Sequence, residues 1–157
     1  MTTRIWIQTS HHAAFKCGGW AYVRADAGVA TGQAGGARYV TPDRIALSAL
    51  IAALKGAPAG EISIQMDNRS VAIVAARIAA GRPPEGDEAP VEDLDLWAAL
   101  TAALAGRKAS FALAAPSKAT PTGFAAAWAE LARDKANAQG AFVSAIPKTN
   151  LAKVAGL

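Results

Sequence analysis

The order in which the apolar periodicity changes along the chain narrows its fold more than any single residue does. Residues 4–9 alternate, with Ile5 and Ile7 on one face, which is the period-two pattern of a strand. Gly18-Gly19 marks a turn, and residues 20–24 read as a second strand. A glycine-rich hairpin over residues 32–36 leads to a third strand at 37–40. The period then changes. Thr41-Pro42-Asp43 opens a helix, because Thr41 can cap it and Pro42 suits its first turn. Ile45, Leu47, Leu50, Ile51 and Leu54 give that helix an apolar face, and Gly56 ends it.

Residues 61–66 predict a fourth strand, 68–80 a second helix closed by Gly81, 93–104 a third helix, 110–114 a fifth strand and 124–137 a fourth helix. The order is β-β-β-α-β-α-α-β-α. Three meandering strands followed by alternating units predict an α/β domain whose five-stranded mixed sheet carries helices on both faces. Three of its strands run antiparallel and the last two are parallel. The pattern covers 1–138, and residues 139–157 read as a flexible tail. Alanine supplies much of the apolar content, so the helices are expected to pack closely through small side chains.

Composition removes several classes. No apolar run approaches roughly 18 residues, so no membrane span is expected. The first eight residues lack the apolar segment of a secretory signal. Cys17 is the only cysteine, which suits a reducing cytoplasm. The net charge is +4, but Glu85, Asp87, Glu88, Glu92, Asp93 and Asp95 crowd one Pro-rich stretch. Without them the chain holds sixteen basic and six acidic residues, a body able to attract phosphate backbones.

The motifs that remain sit at the junctions of these elements: Ile-Trp-Ile-Gln-Thr-Ser in the first strand, Gly18-Gly19-Trp20, Arg44-Ile45-Ala46-Leu47, Met66-Asp67-Asn68, Asp95-Leu96-Trp97 and Glu130-Leu131-Ala132-Arg133. In order and spacing they resemble the bacterial type 1 ribonuclease H family, from about residue 4 to about residue 138. The resemblance implies a ribonuclease H-like fold. It also implies a site in which four carboxylates hold two metal ions roughly 4 Å apart for cleavage of RNA in RNA–DNA hybrids.

Carried over by position, the first acid falls on Ser10, the second on Ala46 and the fourth on Ala129; Asp67 alone is retained. Asp43 lies nearly one helical turn before Ala46, and Glu130 lies about 100° around the helix from Ala129. The family's polar binding positions become Arg44, Asn68 and Arg69. Its mobile loop falls on residues 117–123, where Lys118 stands and no histidine does. Arg44, Arg69, Arg77 and Lys118 are candidate phosphate contacts along one edge of the cleft. The segment that is a basic protrusion in some members is here short and acidic.

The expectation is a non-catalytic module retained to bind nucleic acid (RNA–DNA hybrid or RNA) or a protein, with no cofactor. One alternative is an active enzyme using Asp67, with Asp43, to hold Mg²⁺ or Mn²⁺. Another is a self-associating scaffold or homodimer. Further constellations are weaker. His11-His12 with Asp67 would make a two-His, one-carboxylate site only if the chain turns there, since adjacent strand residues face opposite ways. Ser10, a histidine and Asp67 suggest a triad without an oxyanion hole. Cys17 beside Lys16 reads as a buried thiol, and Trp6, Trp97 and Trp128 read as core rather than as a platform for bases.

Overall fold

A computed structural model of the chain describes residues 2–117 and 120–157. Six strands form one sheet: β1 (Thr2–His12), β2 (Cys17–Asp26), β3 (Val29–Arg38), β4 (Glu61–Met66), β5 (Lys108–Leu113) and β6 (Phe142–Ala145). Their spatial order is β5-β4-β1-β2-β3-β6. β1, β2, β3 and β6 pair antiparallel, whereas β4 lies parallel to both β1 and β5. The helices are α1 (Pro42–Leu54), α2 (Arg69–Ala79), α3 (Leu94–Leu104), α4 (Pro121–Gln139) and the short α5 (Lys148–Leu151).

The period-two alternation of β1 divides the molecule into two cores. Ile5 and Ile7 point to one side of the sheet, against α1, and join a core that also takes in residues of α2 and α3. Trp6 points to the other, where it meets α4. Helix α1 starts as expected: Pro42 is its first residue, and Thr41 Oγ1 accepts a hydrogen bond from the Arg44 amide. The tryptophans are interior or partly so; Trp6 is 6% exposed and Trp20 4%. No helix among the described residues is long and apolar enough to cross a membrane.

Two expectations change. First, residues 32–36 are not a hairpin but the middle of β3, and the chain reverses earlier, at Ala27-Gly28 between Asp26 and Val29. Both turn residues have positive φ, the geometry that matches the right-handed twist of the flanking strands. The glycines serve a different purpose. A Cβ on Gly36 would stand 2.9 Å from Ala136 Cβ and 3.0 Å from the Ala132 carbonyl oxygen. One on Gly19 would overlap the backbone of Arg133 and Ala129. Helix α4 lies almost on the sheet, its buried stripe being Ala125, Ala129, Ala132 and Ala136. Small residues on both sides produce this close approach.

Second, the sheet has six strands rather than five. The sixth comes from the segment read as a tail: β6 pairs with residues 33–36, and the Ile146 amide donates to the Gly32 carbonyl. Ile146 and Leu151 then enter the α4-side core. A four-residue strand with mostly exposed side chains carries no readable alternation.

Candidate nucleic-acid interface

The site lies where β1 and β4 end. Their parallel pairing runs only from Thr2 and Glu61 to Trp6 and Gln65. Further along, the Thr9 amide has no strand partner on that side. Asp67, just past β4, takes its place: its Oδ2 accepts from the Thr9 amide at 2.9 Å, and the Thr9 hydroxyl reaches both carboxylate oxygens at 3.1 and 3.2 Å. Burial raises the Asp67 carboxyl above its ordinary range, and the bonds from Thr9 oppose that rise.

The sign of this shift gives a testable pH dependence. Between the ordinary carboxylate pKa and the raised one, the folded chain binds more protons than the unfolded chain. The stability Asp67 contributes is therefore full below the ordinary pKa and falls as pH climbs through the raised one. Asp67→Asn is expected to flatten that part of a plot of Tm against pH. An unaltered slope in the variant would mean that Asp67 is not the group responsible.

The other three positions hold no acid. Ser10 sits opposite Gly19 on β2, on the face that α4 covers. Its hydroxyl accepts from Arg133 Nη1 at 2.9 Å, while Arg133 Nη2 meets Asp134 at 3.0 Å. A guanidinium thus stands beside one of the positions where the resemblance implies an acid. Ala46 and Ala129 are both 0% exposed. Arg133 follows Ala129 by four residues, on the same helix face, which was the available sign that it could reach the site.

The neighbouring acids do not fill these positions either. Asp43 Oδ1 accepts from Asn68 Nδ2 at 2.9 Å and from Ser70 Oγ at 3.0 Å. It is drawn to the start of α2, whose cap Asn68 follows Asp67, and is engaged there with neutral donors. Glu130 is exposed on α4 and lines a different hollow, with Lys153 and Val154. Two hard cations need several anionic oxygens around one point. Among the described residues, no three His, Cys, Asp or Glu side chains come together to hold a metal. The donor set does not fit a two-metal centre.

The expected binding residues divide in two. Arg44 is held by Asp93 at 3.0 Å and by both oxygens of Asp95 at 3.2 and 3.1 Å. These bonds raise its pKa, and Arg44 in turn holds the Asp95 carboxyl below its ordinary range. Arg77 is likewise paired, with Glu88 at 2.9 Å. The acidic segment therefore folds its charge onto the chain's own arginines. Asn68 caps α2, its Oδ1 accepting from the Val71 amide. Arg69 is exposed and makes no ion pair among the described residues. It lines an open hollow of about 580 Å³ with Thr9, Asp67, Asn68, Ser70 and Ile73. Lys118 lies outside the described residues.

The histidines diverge, as strand alternation requires. His11 Nε2 meets the Val40 carbonyl at 2.8 Å, and the His12 ring lies against Phe15. Cys17 is a buried free thiol.

No family model matches the sequence, and no curated protein matches it. Solved structures do match in fold. LC9-RNase H1, described as a type 1 RNase H with the type 2 active-site motif, superposes with a TM-score of 0.72 at 16% identity, covering 99% of this chain and 82% of its own. The N-terminal RNase H domain of rv2228c from Mycobacterium tuberculosis, solved as a fusion with maltose binding protein, gives 0.60 at 21% identity, covering 88% and 96%. RNase H1 from the halophilic archaeon Halobacterium salinarum NRC-1 gives 0.58 at 17% identity, covering 86% and 99%. The fold is ribonuclease H-like.

Proposed function

We propose that this chain is a ribonuclease H-like module without metal-dependent nuclease activity, retained to bind RNA or an RNA–DNA hybrid. One observation carries the reading. Of the four positions where the resemblance implies carboxylates, two are alanines sealed in the interior, and the third is a serine whose hydroxyl is bonded to a guanidinium. The one remaining carboxylate, Asp67, is committed to Thr9. Such a site offers cations one committed carboxylate where an active member would gather them with four. The excess of basic residues outside the acidic segment favours a polyanion, and Arg69 and Asn68 stand at the rim of the hollow beside Asp67. The cytoplasm is the proposed compartment, since a lone buried thiol suits reducing conditions.

The test is incubation of the chain with a labelled RNA–DNA hybrid in Mg²⁺ or Mn²⁺, with Asp67→Ala alongside. The expected result is no cleavage by either protein and a gel shift that weakens steeply as salt rises. Cleavage by the wild type that is lost in the variant would reinstate an active enzyme with an atypical metal site. No affinity for nucleic acid, together with a concentration-dependent mass, would favour the self-associating scaffold.

A further inference from the structure

The tryptophans lie in or against the cores, so they offer no platform for bases. The exposed aromatic rings are elsewhere. Phe15 is 60% exposed and Tyr39 83% exposed. Phe15 sits in the turn between β1 and β2, closed by a hydrogen bond from the Lys16 amide to the Ala13 carbonyl. Its ring lies 4.6 Å from that of His12, tilted by 34°. Tyr39 directly follows β3. The two segments are tied together, because the Val40 amide donates to the Lys16 carbonyl at 3.2 Å. The β2–β3 ladder ends at Cys17 and Arg38, so Lys16 and Tyr39 are the residues just beyond it on the two strands.

Both of those residues have left-handed backbones, at φ 51° and 55°. That conformation costs a side-chain-bearing residue about 1 kcal/mol or more. Neither position is glycine, so the chain keeps a lysine and a tyrosine where backbone preference opposes them. The charge around the rings is basic. Lys16 follows Phe15 in the turn and its carbonyl accepts from the Val40 amide, Arg38 ends β3 with its guanidinium on the Asn137 carbonyl, and Arg133 reaches Ser10. Asp134, paired with Arg133, is the acid that meets this group.

Exposed rings interleaved with cations, beside a cleft that lacks metal ligands, are what a single strand of nucleic acid needs. Its bases stack on the rings and its phosphates meet the cations. A duplex cannot use the rings, since its bases are already stacked on one another. We infer that His12, Phe15, Lys16, Arg38 and Tyr39 form a platform for single-stranded nucleic acid at the mouth of the former catalytic cleft. The inference rests on the nucleic-acid reading above and narrows it: the strand is held unpaired and uncut.

Binding of a labelled oligouridylate of about ten nucleotides, too weakly structured to pair, tests this by fluorescence anisotropy against an RNA–DNA hybrid of equal length. Phe15→Ala and Tyr39→Ala are each expected to weaken oligouridylate binding about tenfold, with Tyr39→Phe close to wild type. Lys16→Gln is expected to lower the slope of log affinity against log salt by about one. The hybrid is expected to respond little to either aromatic substitution. Both rings are exposed, so unchanged circular dichroism and Tm separate loss of binding from loss of fold. If the hybrid binds and oligouridylate does not, or if oligouridylate binds equally well to both alanine variants, the platform is wrong and the wider reading stands. If neither nucleic acid binds, both fall, and a protein becomes the partner to seek.

Discussion

Gly19→Ala is expected to lower the stability of this chain by at least about 3 kcal/mol, although it adds a single methyl group. The cost does not come from backbone preference, because Gly19 has no positive φ. It comes from what the methyl would meet. The new Cβ would overlap the Arg133 amide nitrogen and the Ala129 carbonyl oxygen, and would stand 2.8 Å from the Ala132 carbonyl carbon. All three are backbone atoms of α4, so no rotamer change relieves them. Either the helix lifts from the sheet, opening gaps under Ala125, Ala129, Ala132 and Ala136, or β2 bends away. Tm is expected to fall by roughly 6–12 °C. Gly56→Ala is the control: nothing lies within 4 Å of its Cβ, so its cost is limited to the strain of φ +73°, about 1 kcal/mol. Equal losses in the two variants would show that α4 is not seated on Gly19. The effect also reaches the site, because α4 carries Arg133 to Ser10. A lifted helix is therefore expected to weaken the proposed nucleic-acid binding as well as stability.

This close seating also explains which parts of the fold could be read in the sequence. Where a segment's residues answer to one neighbour, its pattern is plain. Ile5, Trp6 and Ile7 alternate because β1 has a helix-covered core on each face, and Thr41-Pro42 marks a helix start because capping is local chemistry. The glycines of β3 answer to something distant. Gly36 is small because the Gly18 carbonyl of β2 and, about a hundred residues later, Ala132 and Ala136 lie against it, and a run of glycines otherwise resembles a turn. β6 was hidden for a related reason. Phe142 to Ala145 gain their strand from the open edge of β3, and little in those four residues themselves requires it. At the candidate site, Asp67, Ser10, Ala46 and Ala129 were assigned by their positions in the resemblance alone. Position could not foresee that Arg44 would be taken up by Asp93 and Asp95, since that pair depends on how the acidic segment folds back. Nor did it assign Arg133 to Ser10, although a four-residue spacing from Ala129 was visible.

Ala46→Glu, which places an acid at the second position where the resemblance implies one, is expected to destabilise the chain by about 3–5 kcal/mol at neutral pH rather than to make a metal site. Ala46 is fully buried among Ile45, Leu47, Leu50 and the rest of the α1-side core. Two costs would arise there. The extra volume strains a filled interior, and the carboxylate loses its water with no cation to replace it. Ala46→Gln separates them, since it adds nearly the same volume without charge. The difference between the two variants is the charge alone, and its sign with pH is fixed. Burial raises the introduced carboxyl's pKa in the folded state, so the difference is largest above that raised value and shrinks as pH falls toward the ordinary carboxylate range. Ser10→Asp should behave in the opposite way. Position 10 is only partly buried, and Arg133 already stands 2.9 Å from the serine hydroxyl, so a carboxylate there gains a partner and little stability is lost. The ordering matters more than either number. A site that differs from the family's pattern only in its side chains would accept acids at both positions. A site whose surroundings have closed over it accepts the acid at Ser10 and rejects the one at Ala46. Thermal unfolding of the three variants from pH 4 to pH 8 distinguishes these cases, and a Tm for Ala46→Glu within about 2 °C of wild type would mean that the cleft is still open.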